Sequence, residues 1–188
     1  MPNGLGFSQL VLIFGDRRSR SLFFGVSLQN IIRNDALFKE FSAVLNPIGL
    51  VVVDVRRDDH RDETHIVVTV TNNEHTAGIN ECAKAHRIIF PRISLLEGER
   101  NIDLEVSTPG VQRIFRDLYE FSLFAGKRCR VYDSSCSAWV EGIISEDNGS
   151  EIVLSKARIE DAKEELEEYH IPYGHVHKAK LAYAWEDM

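Results

Sequence analysis

The stretch Asp103-Leu104-Glu105-Val106-Ser107-Thr108-Pro109-Gly110-Val111-Gln112-Arg113 constrains this chain more than any other. Ile102, Leu104 and Val106 recur at period two and share one face. Asp103 and Glu105 take the other. That pattern is a half-buried strand with one wet side. Pro109 then fixes φ and has no N–H to continue a ladder. Gly110 is free to take φ > 0. The spacing predicts a sharp turn at Pro109-Gly110, with Arg113 leaving it exposed. On physics alone the segment is a hairpin or a domain junction.

The periods on either side divide the chain in two. Leu37, Phe38, Phe41, Val44, Leu45 and Ile48 fall at three- and four-residue spacings, the apolar stripe of a helix. Asp35 is placed to cap it, and Pro47 and Gly49 end it. Leu50–Val55 is a β-branched run and reads as a strand. Arg56–Thr64 reads as a charged loop. His65–Thr71 alternates Ile66, Val68 and Val70, so the two strands form an antiparallel hairpin. Ile79, Cys82, Ala83, His86, Ile89 and Ile93 mark a second helix, which Pro91 is expected to kink or end. The order helix–strand–strand–helix–strand gives a three-stranded sheet that two helices can cover. This is an α+β unit over residues 35–112.

Beyond the turn the period changes. Phe115–Phe124 is a short helical turn closed by Gly126. Short strands follow at Lys127–Tyr132, Ala138–Ser145, Glu151–Ser155, Glu168–Ile171 and His175–Leu181. Asp147-Asn148-Gly149 is a tight-turn signal. Five short strands in succession predict a small SH3- or Sm-type β-barrel over residues 113–184, with Tyr132 and Trp139 in its core. Lys156–Glu168 carries Glu160, Asp161, Glu164, Glu165, Glu167 and Glu168 against Lys156, Arg158 and Lys163. It reads as a solvated loop compatible with a helix, or as an electrostatic surface for a basic protein.

Composition and motifs exclude several functions. The net charge of −7 argues against a broad, sequence-blind grip on nucleic acid and suits a basic partner. The charge is uneven: Arg17, Arg18, Arg20 and Arg33 against Asp16 leave +3 in residues 1–34 and −10 in the rest. Cys82, Cys129 and Cys136 are odd in number and lack metal-site spacing, which fits a reducing cytoplasm. The apolar runs Leu10–Phe14 and Leu22–Val26 are far short of the ~18–20 residues a membrane helix needs. His175 and His177 have the spacing of two ligands on one strand face, but no third ligand is evident. His86, on an apolar stripe, is read as a core histidine. There is no glycine-rich phosphate loop. Ser107 lacks the flanking glycines of a nucleophile elbow, and no His–acid pair stands out to activate it. No enzyme, metal or cofactor is expected.

Leu104-Glu105-Val106-Ser107, followed by Pro109-Gly110 and Arg113, resembles the turn motif of the RimP family, the bacterial ribosome maturation factors. Thr108, Gln112 and Ile114 depart from the serine, aspartate and proline usual there. The likeness runs from about Leu37 to Ala182. It includes Cys82-Ala83, then Glu120-Phe121 with Phe124-Ala125-Gly126-Lys127. Trp139-Val140-Glu141-Gly142 and Val176-His177-Lys178-Ala179-Lys180-Leu181 follow in the family's order. Residues 1–34 have no counterpart and are expected to be a disordered extension or a start assigned too far upstream.

The resemblance implies a monomeric, cytoplasmic, non-enzymatic assembly factor of two domains. It would bind the free 30S subunit and associate with the small-subunit ribosomal protein number twelve, mainly through the barrel, near 16S rRNA. Basic residues cluster suitably for local contacts: Lys127, Arg128 and Arg130 on one strand, Lys178 and Lys180 on another, Arg113 and Arg116 at the junction. With Ser107, Pro109 and Gly110 of the turn, these are the candidate contact residues. The alternative is a general RNA-binding Sm-like module, against which the acidic charge speaks. A hydrolase built on Ser107 is a third reading, without an assembled site.

Overall fold

The computed structural model describes residues 27–61, 63–98, 101–160, 162 and 164–183. They form two compact units: Ile32–Pro109, and the chain from Gly110 onward joined by residues just before Ile32.

The first unit runs α1 (Ala36–Leu45), β1 (Leu50–Asp59), β2 (Glu63–Asn72), α2 (Ile79–Glu97) and β3 (Asn101–Ser107). Asp35 caps α1, its Oδ1 accepting from the Phe38 N–H at 2.8 Å. Gly49, at φ 80°, supplies the left-handed turn that feeds β1. The sheet order is β1-β2-β3, with β2 antiparallel to β1 and parallel to β3. A parallel pair needs a crossover, and α2 is that crossover. The register sets Ile66 beside Leu104 and Val68 beside Val106. α1 packs on β1, and α2 on β2 and β3, with the helices in contact. Phe38, Phe41, Leu45, Cys82, Ala85, Ile89 and Ile93 are all buried there.

Three expectations need correction in this unit. The predicted loop Arg56–Thr64 is mostly strand, because β1 and β2 pair as far as Asp59 and Thr64. Backbone pairing does not need apolar side chains, and Arg57 is held by a two-bonded grip on Glu97 at 2.6 and 2.9 Å. Pro91 does not end α2, which continues to Glu97. The bond it removes falls on the Arg87 carbonyl, and both residues are exposed, so water can take its place. The buried stripe of α2 is Cys82, Ala85, Ile89 and Ile93, whereas Ile79 is 50% exposed.

The second unit holds α3 (Tyr119–Leu123), β4 (Arg128–Asp133), β5 (Ala138–Asp147), β6 (Glu151–Ile159), β7 (Leu166–Pro172) and β8 (Val176–Leu181). The sheet is antiparallel throughout, in the order β7-β6-β5-β4-β8. Four strands meander and the fifth returns beside the first, as expected of an SH3- or Sm-type fold. Register shifts in β5 and β4 mark bulges that bend the sheet. Its core contains Phe115 edge-on to Phe121 at 5.0 Å and stacked on Phe124 at 5.6 Å. Val131, Val140, Ile144, Leu154, Ile171 and Val176 complete it. Asn148 ties the β5–β6 turn, its Oδ1 accepting from the N–H groups of Ser150 and Glu151, both at 3.0 Å.

The expected extension lies mostly outside the described residues. Its last part is bonded to the second unit: Leu28 N–H donates to the Val176 carbonyl, and Leu118 N–H donates to the Gln29 carbonyl. Ile31 N–H donates to Asp117 Oδ2 at 2.8 Å. The acidic segment is not helical among its described residues: β6 reaches Ile159 and β7 begins at Leu166.

Candidate functional site

The turn motif differs from its sequence reading in two ways. The tight turn is centred on Val111-Gln112, with Arg113 N–H donating to the Gly110 carbonyl at 2.9 Å. Gly110 is not among the glycines with positive φ, which are Gly49, Gly98, Gly126 and Gly149 in the described chain. Ser107 ends β3 opposite Thr69, and Pro109 follows, half-buried.

Arg113 was expected to be exposed, and it is not. Its side chain is 9% exposed and that of Glu120 is fully buried. Arg113 Nε and Nη2 donate to the two Glu120 oxygens at 2.8 and 3.1 Å. The Arg116 backbone N–H adds a third donor at 2.7 Å. A carboxylate this deep must be neutralised by a cation, and Arg113 is within reach once α3 turns the chain back. This arginine is therefore an internal tie. Arg116 is exposed.

Four of the remaining basic candidates, Arg128, Arg130, Lys178 and Lys180, meet on one face of the five-stranded sheet. Lys180 on β8 lies opposite Arg130 on β4, which lies opposite Glu141 on β5, which lies opposite Arg158 on β6. The neighbouring row runs from Lys178 through Tyr132 to Trp139. Arg128 shares the face, and Lys127 is exposed just before β4. Val131, Val140 and Ala179, of opposite parity, are buried. Strand parity thus puts Tyr132 and Trp139 on the outward face, half-buried, and corrects their assignment to the core. The signal was readable: Val140, Gly142 and Ile144 are the compact or apolar set of β5, and Trp139 is out of phase with them.

Within this face, Arg130 Nη2 donates to Glu160 Oε1 at 3.0 Å, and Arg130 Nε lies 3.6 Å from Glu141. Its guanidinium sits 5.6 Å from the centre of the Trp139 ring. Tyr132 meets Trp139 edge-on at 5.6 Å and 73°. Arg128 faces Glu141 at 3.7 Å.

Other candidate chemistry falls apart in space. His175 lies in the turn before β8 and His177 on the strand, so the two do not share a strand face. His86 is half-buried against Phe90, and burial lowers its pKa. Burial pushes the thiols of Cys82 and Cys129 up, away from the reactive thiolate. Among the described residues no group of three or more His, Cys, Asp or Glu could hold a metal ion. No described helix is long and apolar enough to cross a membrane.

What the second unit collects on one face is cations and aromatic rings. The family model of the RimP N-terminal domain matches residues 41–112. The ribosome maturation factor RimP of Borrelia turicatae is 25% identical over 153 residues, covering 81% of this chain and 98% of the relative. That of Borrelia recurrentis is 23% identical over 149 residues, covering 79% and 96%. The chain is thus similar to ribosome maturation factors RimP over most of its length, and its first unit matches the RimP N-terminal domain. Similar solved structures include an Sm-like archaeal protein from Pyrobaculum aerophilum, with TM-score 0.32, 20% identity, and coverage of 36% of this chain and 52% of that one. An SmAP (LSm) protein from Methanococcus vannielii has TM-score 0.31, 22% identity and coverage of 35% and 94%.

Proposed function

We propose that the protein acts in maturation of the 30S ribosomal subunit in the cytoplasm. It binds the free subunit as a monomer and engages the small-subunit ribosomal protein number twelve. The observation that carries this reading is length: maturation factors match over 95–98% of their own sequence, not over one domain. The charge supports it. Ribosomal proteins are basic, and an acidic factor of net charge −7 is steered toward them while avoiding indiscriminate contact with RNA. Glu164, Glu165, Glu167 and Glu168 are all exposed and available for such steering. The monomer reading is supported by β8, whose outer edge is taken by Leu28, Arg113 and Phe115 of the same chain. Such a factor lends binding energy to one conformation of its target and leaves when that conformation is locked.

Co-sedimentation at moderate salt tests the reading. The protein is expected to pellet with free 30S subunits and not with 70S ribosomes. Failure to pellet with either refutes it. Reversing the four glutamates to lysine is expected to weaken binding to the purified ribosomal protein, and unchanged affinity would remove the acidic segment from the interface.

A further inference from the structure

The geometry points to a single-stranded RNA contact on the outward face of β4, β5, β6 and β8, with the Tyr132–Trp139 pair receiving a base and Arg158, Lys178 and Lys180 receiving phosphates. It deepens the proposed function, and rests on it only for which RNA is met in the cell.

Three observations carry it. The first is sign. Arg128, Arg130, Arg158, Lys178 and Lys180 against Glu141 and Glu160 leave +3 on this face, in a chain whose total is −7. A polyanion is attracted here and repelled elsewhere, so binding is local. The second is availability. Arg130 and Arg128 lie within 4 Å of Glu141 or Glu160, but Arg158, Lys178 and Lys180 make no ion pair among the described residues. Lys178 and Lys180 alternate with buried Ala179, so both point outward beside the aromatic row.

The third is the pair of rings. A surface that only needed charge would not place two half-buried aromatics, from adjacent strands, next to its free lysines. Arg130 sits by the indole at 5.6 Å, and Glu160 holds that guanidinium at 3.0 Å. The Trp139 ring is thus braced before anything binds. Because the rings stand at 73°, a base can lie flat on only one of them and meets the edge of the other. That suits one unpaired nucleotide. In a duplex the bases are stacked on one another and closed to such contact, so the partner is single-stranded. A carboxylate-rich protein would satisfy the lysines but leave the rings without a use.

The test is fluorescence anisotropy of a labelled oligouridylate decamer with the full chain. About three free cations predict a log–log salt slope of roughly −2, or roughly a fifteenfold loss of affinity between 50 and 200 mM salt. Trp139→Leu is expected to weaken binding about tenfold and Trp139→Phe to restore most of it, because stacking needs a π-face. Lys178→Glu with Lys180→Glu, both solvent-accessible positions, is expected to abolish binding at 200 mM salt while circular dichroism stays unchanged. Polyglutamate is expected to compete poorly. The proposal is overturned by any of three results: no binding at 50 mM salt, binding indifferent to both sets of variants, or polyglutamate competing as well as RNA. Binding to 30S subunits is scored separately. Sedimentation without oligonucleotide binding would retain the maturation reading and discard this face. The reverse would retain the face and discard the reading.

Discussion

Replacing Arg113 by methionine takes the guanidinium away from the fully buried Glu120 carboxylate. Methionine keeps the apolar stem and volume of the arginine, so packing changes little. What goes is the pair of charge-assisted bonds to Glu120 at 2.8 and 3.1 Å. Glu120 retains the Arg116 N–H at 2.7 Å, so it is not left without donors. Removing one partner of a buried ion pair costs about 3–5 kcal/mol. For a unit of this size each kcal/mol is worth roughly 4–8 °C, so the second unit's own transition should fall by roughly 12–40 °C. Because two units need not unfold together, the assay is native-state hydrogen exchange at α3, β4 and β5, with α2 as the internal control. Arg113→Lys should fall between wild type and methionine, since an ammonium cannot reproduce the two-bonded fork. Combining Arg113→Met with Glu120→Gln should recover at least half of the loss, because the amide can still accept from Arg116 without carrying charge. A loss below about 1 kcal/mol for Arg113→Met, or no recovery in the double variant, would refute the claim that this pair is a charge-neutralising tie.

Two further predictions follow from local geometry. Gly142→Ala would put a Cβ 3.0 Å from both Leu154 Cβ and the Ser155 carbonyl oxygen, where backbone rather than a flexible tip must move. It should destabilise the second unit by about 1–3 kcal/mol in urea titration, and a neutral result would show that the β5–β6 bulge relaxes freely. Glu81 accepts from the Gly78 N–H at 2.9 Å, and backbone hydrogen bonds hold its carboxyl below the ordinary 4.5. A lowered folded value means its contribution is present above 4.5 and is lost as pH falls through the folded value. Glu81→Gln should therefore narrow the stability difference between about pH 6 and about pH 3. An unchanged difference would remove this cap from the acid response.

Much of the chain's structure followed from local rules. Alternation at Ile66, Val68 and Val70, and again at Leu104 and Val106, determined strands and their inward faces without reference to any partner. Asp35 and Asn148 act on N–H groups within three residues, so the α1 cap and the β5–β6 turn were legible from spacing alone. The order of elements and the turn motif were enough to indicate the fold class and the likeness to ribosome maturation factors. The end points of strands were less legible. Arg57 and Asp58 look like loop residues until β2 offers backbone partners opposite them.

The functional surface depended on which residues tertiary structure brought together. Arg113 reads as a free cation in the sequence, and only the return of α3 past the turn puts Glu120 against it. Tyr132 and Trp139 read as core because large aromatic rings usually are buried. Their strands instead present the other parity inward, and the β4–β5 register makes the two rings neighbours. Lys180, Arg130, Glu141 and Arg158 are scattered along the sequence, yet stand in one row across four strands. A sequence specifies local conformation through interactions a few residues long. Charge pairing and surface composition depend on distances between remote segments, and those exist only once the sheets have closed.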